Sequence, residues 1–305
     1  MTLPELLESV RRVEVQTNRL VSDVMVGAYL SHFKGRGMDF EELREYIPGD
    51  DVRDIDWNVT YRMGRVFVKR YREERELGMI LAMDVSASGD FGSARLSKRE
   101  FAAQVAATLA FSAARNGDKV GLLLFTDRAE LFIPPRKGRR HLLRCIRELL
   151  VFQPASRRTD IPAALATLNR VLHQRSIIFL LTDFLHSLGP RDTPPSASRD
   201  LLQEIGLTNS RHDLVCVHLS DPRETGLPHA GLLTVEDAET GELLEVDSSR
   251  DGVRQTYERV NAERLADLDR ALRQAGVDTL RLSTDSPFAP TLQRFFETRR
   301  GRRRG

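Results

Sequence analysis

From residue 78 onward, short runs of consecutive apolar residues recur, each closing on a polar side chain: GMILAMD (78–84), VGLLLFT (120–126), SIIFLLTD (176–183), LVCVHLS (214–220) and DTLRLS (278–283). A strand with one wet face would alternate, so continuous runs of this length predict strands buried on both sides. The segments between them carry the other period. Phe101, Val105 and Leu109 form one helical stripe, stopped at Asn116 and Gly117. Val253, Tyr257, Val260, Leu265, Leu268 and Leu272 mark a second helix, ending at Gly276. Strands alternating with helices predict an α/β fold with a doubly wound, mostly parallel sheet. AELFIPP (129–135), its prolines unable to donate to a ladder, reads as an antiparallel edge strand. Residues 231–247 read as a hairpin turning on AETGE.

The first 77 residues break this rhythm. Residues 4–30 carry a helical pattern, SHFKGRGMDF (31–40) reads as a polar loop, and 45–71 mixes turns with short strand-like pieces. The chain therefore divides into an N-terminal module (1–77), an α/β domain (78–292, hairpin included) and a basic C-terminal tail (293–305). GPRDTPPSASRD (189–200) reads as a loop.

No apolar run approaches the roughly 20 residues of a membrane helix, and MTLPELLESV lacks the order of a signal peptide; both point to a cytoplasmic protein. Cys145 and Cys216 sit among apolar neighbours without ligand spacing and read as reduced core thiols. A net charge of +2 argues against a dedicated nucleic-acid binder, although eight Lys or Arg and one acid, Glu148, fall between Arg136 and Arg158. That basic stretch reads either as a solvated helix face or as a surface that steers an acidic partner.

Candidate chemistry begins where the first strand ends, in LAMDVSASGDFGS (81–93). Ligands of open α/β sheets bind beyond the carboxyl ends of strands. There Asp84, Ser86 and Ser88 offer a carboxylate and two hydroxyls, which alone suit either a turn or a hard divalent cation such as Mg²⁺. Thr159 precedes a helix in RRTDIPAAL (157–165), and Asp183 closes another buried strand in FLLTDF (179–184). If those two strands are neighbours, five oxygen-bearing side chains meet at one edge.

This set, in its order, resembles the metal-ion-dependent adhesion site of von Willebrand factor A-type domains. Ala87 stands where glycine is commonest in that motif. The stretch YIPGDDVRDIDWNVTYRMGRVFVKRYREERE, followed by DVSASGDFGS and KRE, resembles the bacterial domain of unknown function family 58 over about residues 20 to 235. Gly89 replaces the methionine many relatives carry. The resemblance implies a von Willebrand-like domain binding Mg²⁺ or Mn²⁺. Ser86, Ser88 and Thr159 would be direct ligands, and Asp84 and Asp183 direct or water-mediated ones. It also implies a MoxR-type AAA+ ATPase as partner, with that ATPase or a client protein supplying an acidic residue to the metal. Arg139, Arg140, Arg157 and Arg158 are the candidate partner-binding residues.

Other readings carry less. Asp50, Asp51, Asp54 and Asp56 in GDDVRDIDW fit no calcium loop, and Arg53 and Arg62 stand ready as ion-pair partners. Trp57 reads as a packing anchor between the N-terminal module and the sheet. The seven histidines form no ligand pair. There is no phosphate-binding G-x-x-x-x-G-K-[ST] loop and no nucleophile–base pair in one segment, so a metal-dependent phosphoester hydrolase and an RNA- or anion-binding protein stand as alternatives to a non-enzymatic adaptor.

Overall fold

Gly78–Asp84 (β3) lies in the middle of a six-stranded sheet, which explains why it shows no alternation: Met79 to Met83 are all fully buried. The protein is described here by a computed structural model covering residues 37–74, 78–185 and 195–302. These fall into two compact units, one within Phe33–Leu77 and the other from Gly78 onward. The helical pattern at 4–30 lies outside the described residues.

In the smaller unit, β1 (Gly37–Glu45) and β2 (Phe67–Glu74) pair antiparallel, with a register shift between Phe40 and Glu42. The part of SHFKGRGMDF from Gly37 is thus strand, not loop. Helix α1 (Trp57–Met63) is capped by Asp56, whose side chain accepts from the Asn58 and Val59 amides, and it ends on Gly64 at φ 67°. Trp57 is 66% exposed.

The larger unit runs β3, helix α2 (Lys98–Arg115), β4 (Lys119–Phe125), β5 (Ala129–Arg136), α3 (Arg139–Val151), α4 (Ile161–Val171), β6 (Ser176–Thr182), α5 (Pro195–Arg211), β7 (Asp213–Ser220), the single turn α6 (Pro222–Thr225), β8 (Leu232–Glu236), β9 (Leu243–Asp247), α7 (Asp251–Gln274), β10 (Asp278–Ser283) and α8 (Phe288–Arg302). Strand order is β10-β7-β6-β3-β4-β5, parallel except for β5 against β4. This is the doubly wound, mostly parallel sheet expected from the sequence. α4, α5 and α7 cover the face of Ile80, Ala82, Ile178 and Leu180. The other face carries α2 and α8, whose Phe101 and Phe288 meet edge to face, while Phe296 packs on Phe179 of β6. Gly121 is required where β5 crosses close: a Cβ there would come within 2.9 Å of the Ile133 carbonyl oxygen.

Two expectations are corrected at the edges. The run Pro195–Asp200 starts helix α5 rather than continuing a loop. Most of the supposed basic tail is the second half of α8. There Phe296 is fully buried, and Arg299 is held by Asp213 and Asp278 at 2.6 Å each. Apolar and paired positions at 292, 296 and 299 outweigh the basic composition of the segment. Both cysteines are buried and free, and no helix among the described residues is long and apolar enough to cross a membrane.

Candidate metal centre

Because the chain enters at β3 and winds outward in both directions, the topological switch lies between β3 and β6, and a crevice opens at their carboxyl ends. Met83 pairs with Leu181, which brings Asp84 beside Thr182 and Asp183. Asp84 accepts the Ser86 amide at 2.9 Å and the Thr182 hydroxyl at 2.8 Å. Ser86 and Ser88 hydroxyls lie 3.1 Å apart, both buried, and the Ser88 hydroxyl also bonds Asp183. Thr159, just ahead of the Asp160 N-cap of α4, places its hydroxyl 3.4 Å from the Asp84 carboxylate. All five predicted residues, Asp84, Ser86, Ser88, Thr159 and Asp183, therefore converge. Ser86 is followed by a 3-10 turn over Ala87–Asp90.

Two features hold this loop still. The Arg99 guanidinium donates to the Val85 and Ser86 carbonyls at 2.8 and 3.1 Å, and the Ala87 amide donates to the Arg157 carbonyl at 3.0 Å. Past Asp183 the backbone turns sharply at Phe184, which has φ 54°, a left-handed conformation that a phenylalanine adopts at a cost of about 1–2 kcal/mol. Its ring is buried in the core, so the packing that fixes the turn also aims Asp183 into the crevice.

The electrostatics of the two carboxylates differ. Burial, reinforced by the charge of Asp183, pushes Asp84 up to about 6. Burial also works against the Asp183 charge, but the ammonium of Lys98 beside it holds that carboxyl below its usual range. Lys98, the first residue of α2, is 2% exposed; its ammonium lies 2.6 Å from Asp183 and also bonds Glu224 of α6. Glu224 is raised by its own burial. The adjoining α6 is closed by a capping box in which Asp221, fully buried, accepts from Ser93 and from Thr284. His218, buried against Phe184, is lowered to about 4 chiefly by burial.

The donor set fits a hard divalent cation: two carboxylates and three hydroxyls, all oxygen, with the Asp84 carboxylate disfavoured as an ion by its burial and by the neighbouring charge of Asp183. Among the described residues no group of three or more His, Cys, Asp or Glu could serve as an alternative ligand cluster.

The predicted arginines separate. Arg157 flanks the site; its side chain donates to the Ala238 carbonyl at 2.8 Å and reaches Glu236 at 3.6 Å, tying the β8–β9 hairpin tip to the rim. Arg158 is exposed next to it. Arg139 and Arg140 are not brought to the site. β5 runs antiparallel to β4 and sets Arg136 opposite Val120, so the start of α3 lies at the amino end of the sheet. Six strand steps of ~3.3 Å put the two ends about 20 Å apart, beyond the ~8–10 Å over which salt leaves exposed charges coupled.

Sequence reasoning missed Lys98, Thr182, Glu224 and Arg99. Lys98 did leave a signal: a cation in the first helical turn opposes the helix dipole and calls for nearby carboxylates.

The sequence matches the family described as "Protein of unknown function DUF58" over residues 42–267. An uncharacterized protein of Mycobacterium tuberculosis is 32% identical, covering 97% of this chain and 90% of the relative. Among solved structures, an aerotolerance-related membrane protein from Bacteroides fragilis aligns at 15% identity and TM-score 0.48, covering 74% of this chain and 99% of that one. A von Willebrand factor type A structure from Catenulispora acidiphila aligns at 15% identity and TM-score 0.38, covering 77% and 43%.

Proposed function

This chain belongs to the DUF58 family, and from that premise we propose that it is a non-enzymatic, divalent-metal-dependent adaptor that binds other proteins. Asp84, Ser86, Ser88, Thr159 and Asp183 would hold Mg²⁺ or Mn²⁺, which when bound supplies an electrophilic contact for a carboxylate of the partner. The observation that carries the reading is the convergence of these five oxygen donors in the switch-point crevice, with no histidine or cysteine among them. Ser86, Ser88 and Thr159 are neutral, so the site leaves a cation much of its charge for an incoming ligand. Arg99 and the Phe184 turn keep the donors in place before anything binds. Arg157 and Arg158 present basic side chains at the rim, where an acidic segment would approach.

The partner we assign is a MoxR-type AAA+ ATPase or a client it handles, in complex assembly or protein maturation; the family resemblance supports that assignment. The test is capture of the ATPase by the full chain in Mg²⁺ and in EDTA, beside the Ser86→Ala/Ser88→Ala variant. Loss of one charge-assisted contact in a partly desolvated interface should weaken the complex by on the order of 2–5 kcal/mol. EDTA and the paired variant should act alike. A complex equally strong in all three conditions contradicts a metal-gated adaptor. The non-enzymatic part is tested separately: metal-dependent phosphoester or nucleotide hydrolysis that disappears in Asp183→Ala would replace it with a hydrolase.

A further inference from the structure

We propose that Lys98 is a built-in counter-cation that shares Asp183 with the divalent ion and, together with Glu224, sets how tightly that ion is held. The inference rests on the metal-site reading above and concerns residues that the motif itself does not contain. Lys98 is among the largest fully buried side chains of the described residues, and an ammonium taken out of water is tolerated only where carboxylates meet it. It meets two, from different elements: Asp183 at the end of β6, at 2.6 Å, and Glu224 in α6. Lys98 lines the same small crevice as Asp84, Ser88 and Asp183. A cation held by those donors would therefore lie close to a fixed positive charge with little water between them.

This arrangement has two consequences of opposite sign. Lys98 neutralises part of the Asp183 charge and repels a second cation, so it holds metal affinity down and keeps the ion exchangeable. Glu224 takes up part of the Lys98 charge; without it, the ammonium would act on Asp183 alone and the metal would be held more weakly. A lysine that merely filled space would not give effects of opposite sign at its two ends. The link also runs outward. Glu224 closes the capping box with Asp221, and Asp221 holds Ser93 of the loop beyond Ser88 and Thr284 of the loop after β10. The charge balance at the metal is thereby tied to the loops that surround it.

The experiment is calorimetric titration of Mn²⁺ into the full chain and into Lys98→Met, Glu224→Gln and the double variant, with Asp84→Ala as the control for the site. Lys98→Met should bind about tenfold tighter or more, Glu224→Gln severalfold weaker, and the double variant should fall between them. Metal should also raise the melting temperature of Lys98→Met further than that of the natural chain. Unchanged or weaker binding in a folded Lys98→Met overturns the proposal. Should that variant fail to fold, Glu224→Gln decides, because unchanged or tighter binding there overturns it equally. The two readings fail differently. Binding that ignores Asp84→Ala sinks the metal site itself, whereas binding lost in Asp84→Ala but indifferent to Lys98 and Glu224 sinks only the counter-cation.

Discussion

Two groups of aspartates in this chain invite the same metal-binding reading and differ in burial and in what pairs with them. GDDVRDIDW in the smaller unit has four aspartates within seven positions, yet each described role is local and wet. Asp50 is held below its usual range by Arg44, which bonds it at 2.6 Å, and by the Ile47 amide. Asp51 caps a 3-10 turn. Asp56 is lowered by the Val59 amide it caps and by Lys69 at 3.1 Å. The partners are Arg44 and Lys69, not the Arg53 and Arg62 expected from proximity in sequence, because pairing follows the fold of the β1–β2 ribbon. At the switch point two aspartates meet, from strands almost a hundred residues apart; Asp183 is buried and Asp84 half-buried, and each accepts from a hydroxyl, Thr182 for Asp84 and Ser88 for Asp183. Carboxylate density alone does not distinguish the two; the proposed metal site rests on convergence of donors from separate strands.

The largest effect expected from this contrast is on metal binding. Asp84→Ala should lower Mn²⁺ affinity by more than ~100-fold, since loss of an outer-shell partner alone costs about 10–100-fold. Asp50→Ala should leave it within about twofold. Strong metal dependence on Asp50 would erase the distinction between the two groups.

Burial also predicts acid sensitivity at one region and not the other. His218 has a folded value near 4, below its unfolded ~6.5. Its contribution to stability is therefore present above pH 6.5 and is lost as pH falls toward 4. The loss should reach about 3 kcal/mol. Denaturant titrations across that window should show the fall, and His218→Leu should flatten it.

A smaller effect belongs to Thr182, whose hydroxyl orients Asp84. Thr182→Val should weaken Mn²⁺ about tenfold without changing the melting temperature of the metal-free protein by more than a few degrees. The smallest concerns the caps: Asp51→Ala and Asp56→Ala should loosen the smaller unit, read as faster amide exchange at Arg53, Asn58 and Val59, and leave metal affinity unchanged.

The central strands were legible because burial on both faces leaves continuous apolar runs, and their predicted limits differ from the observed ones by a residue or so at β4, β6 and β7. The five oxygen donors were legible once the strand neighbours were assumed, and the pairing of β3 with β6 supplies that assumption. What stayed hidden depends on tertiary geometry. The sequence does not say that Lys98 turns inward, that Phe184 takes a left-handed turn, or that the basic run at 136–140 ends up at the far end of the sheet. Nor does composition reveal that residues 293–302 of the arginine-rich C-terminus are helix, with Phe296 and Arg299 buried on α8.

The most direct measurement is a crystal structure of the full chain grown with Mn²⁺, read by anomalous scattering at the manganese edge. The account predicts one strong peak among Asp84, Ser86, Ser88, Thr159 and Asp183, and none at residues 50–56. No peak in the crevice at saturating Mn²⁺, or a principal peak at the aspartates of the smaller unit, would contradict it.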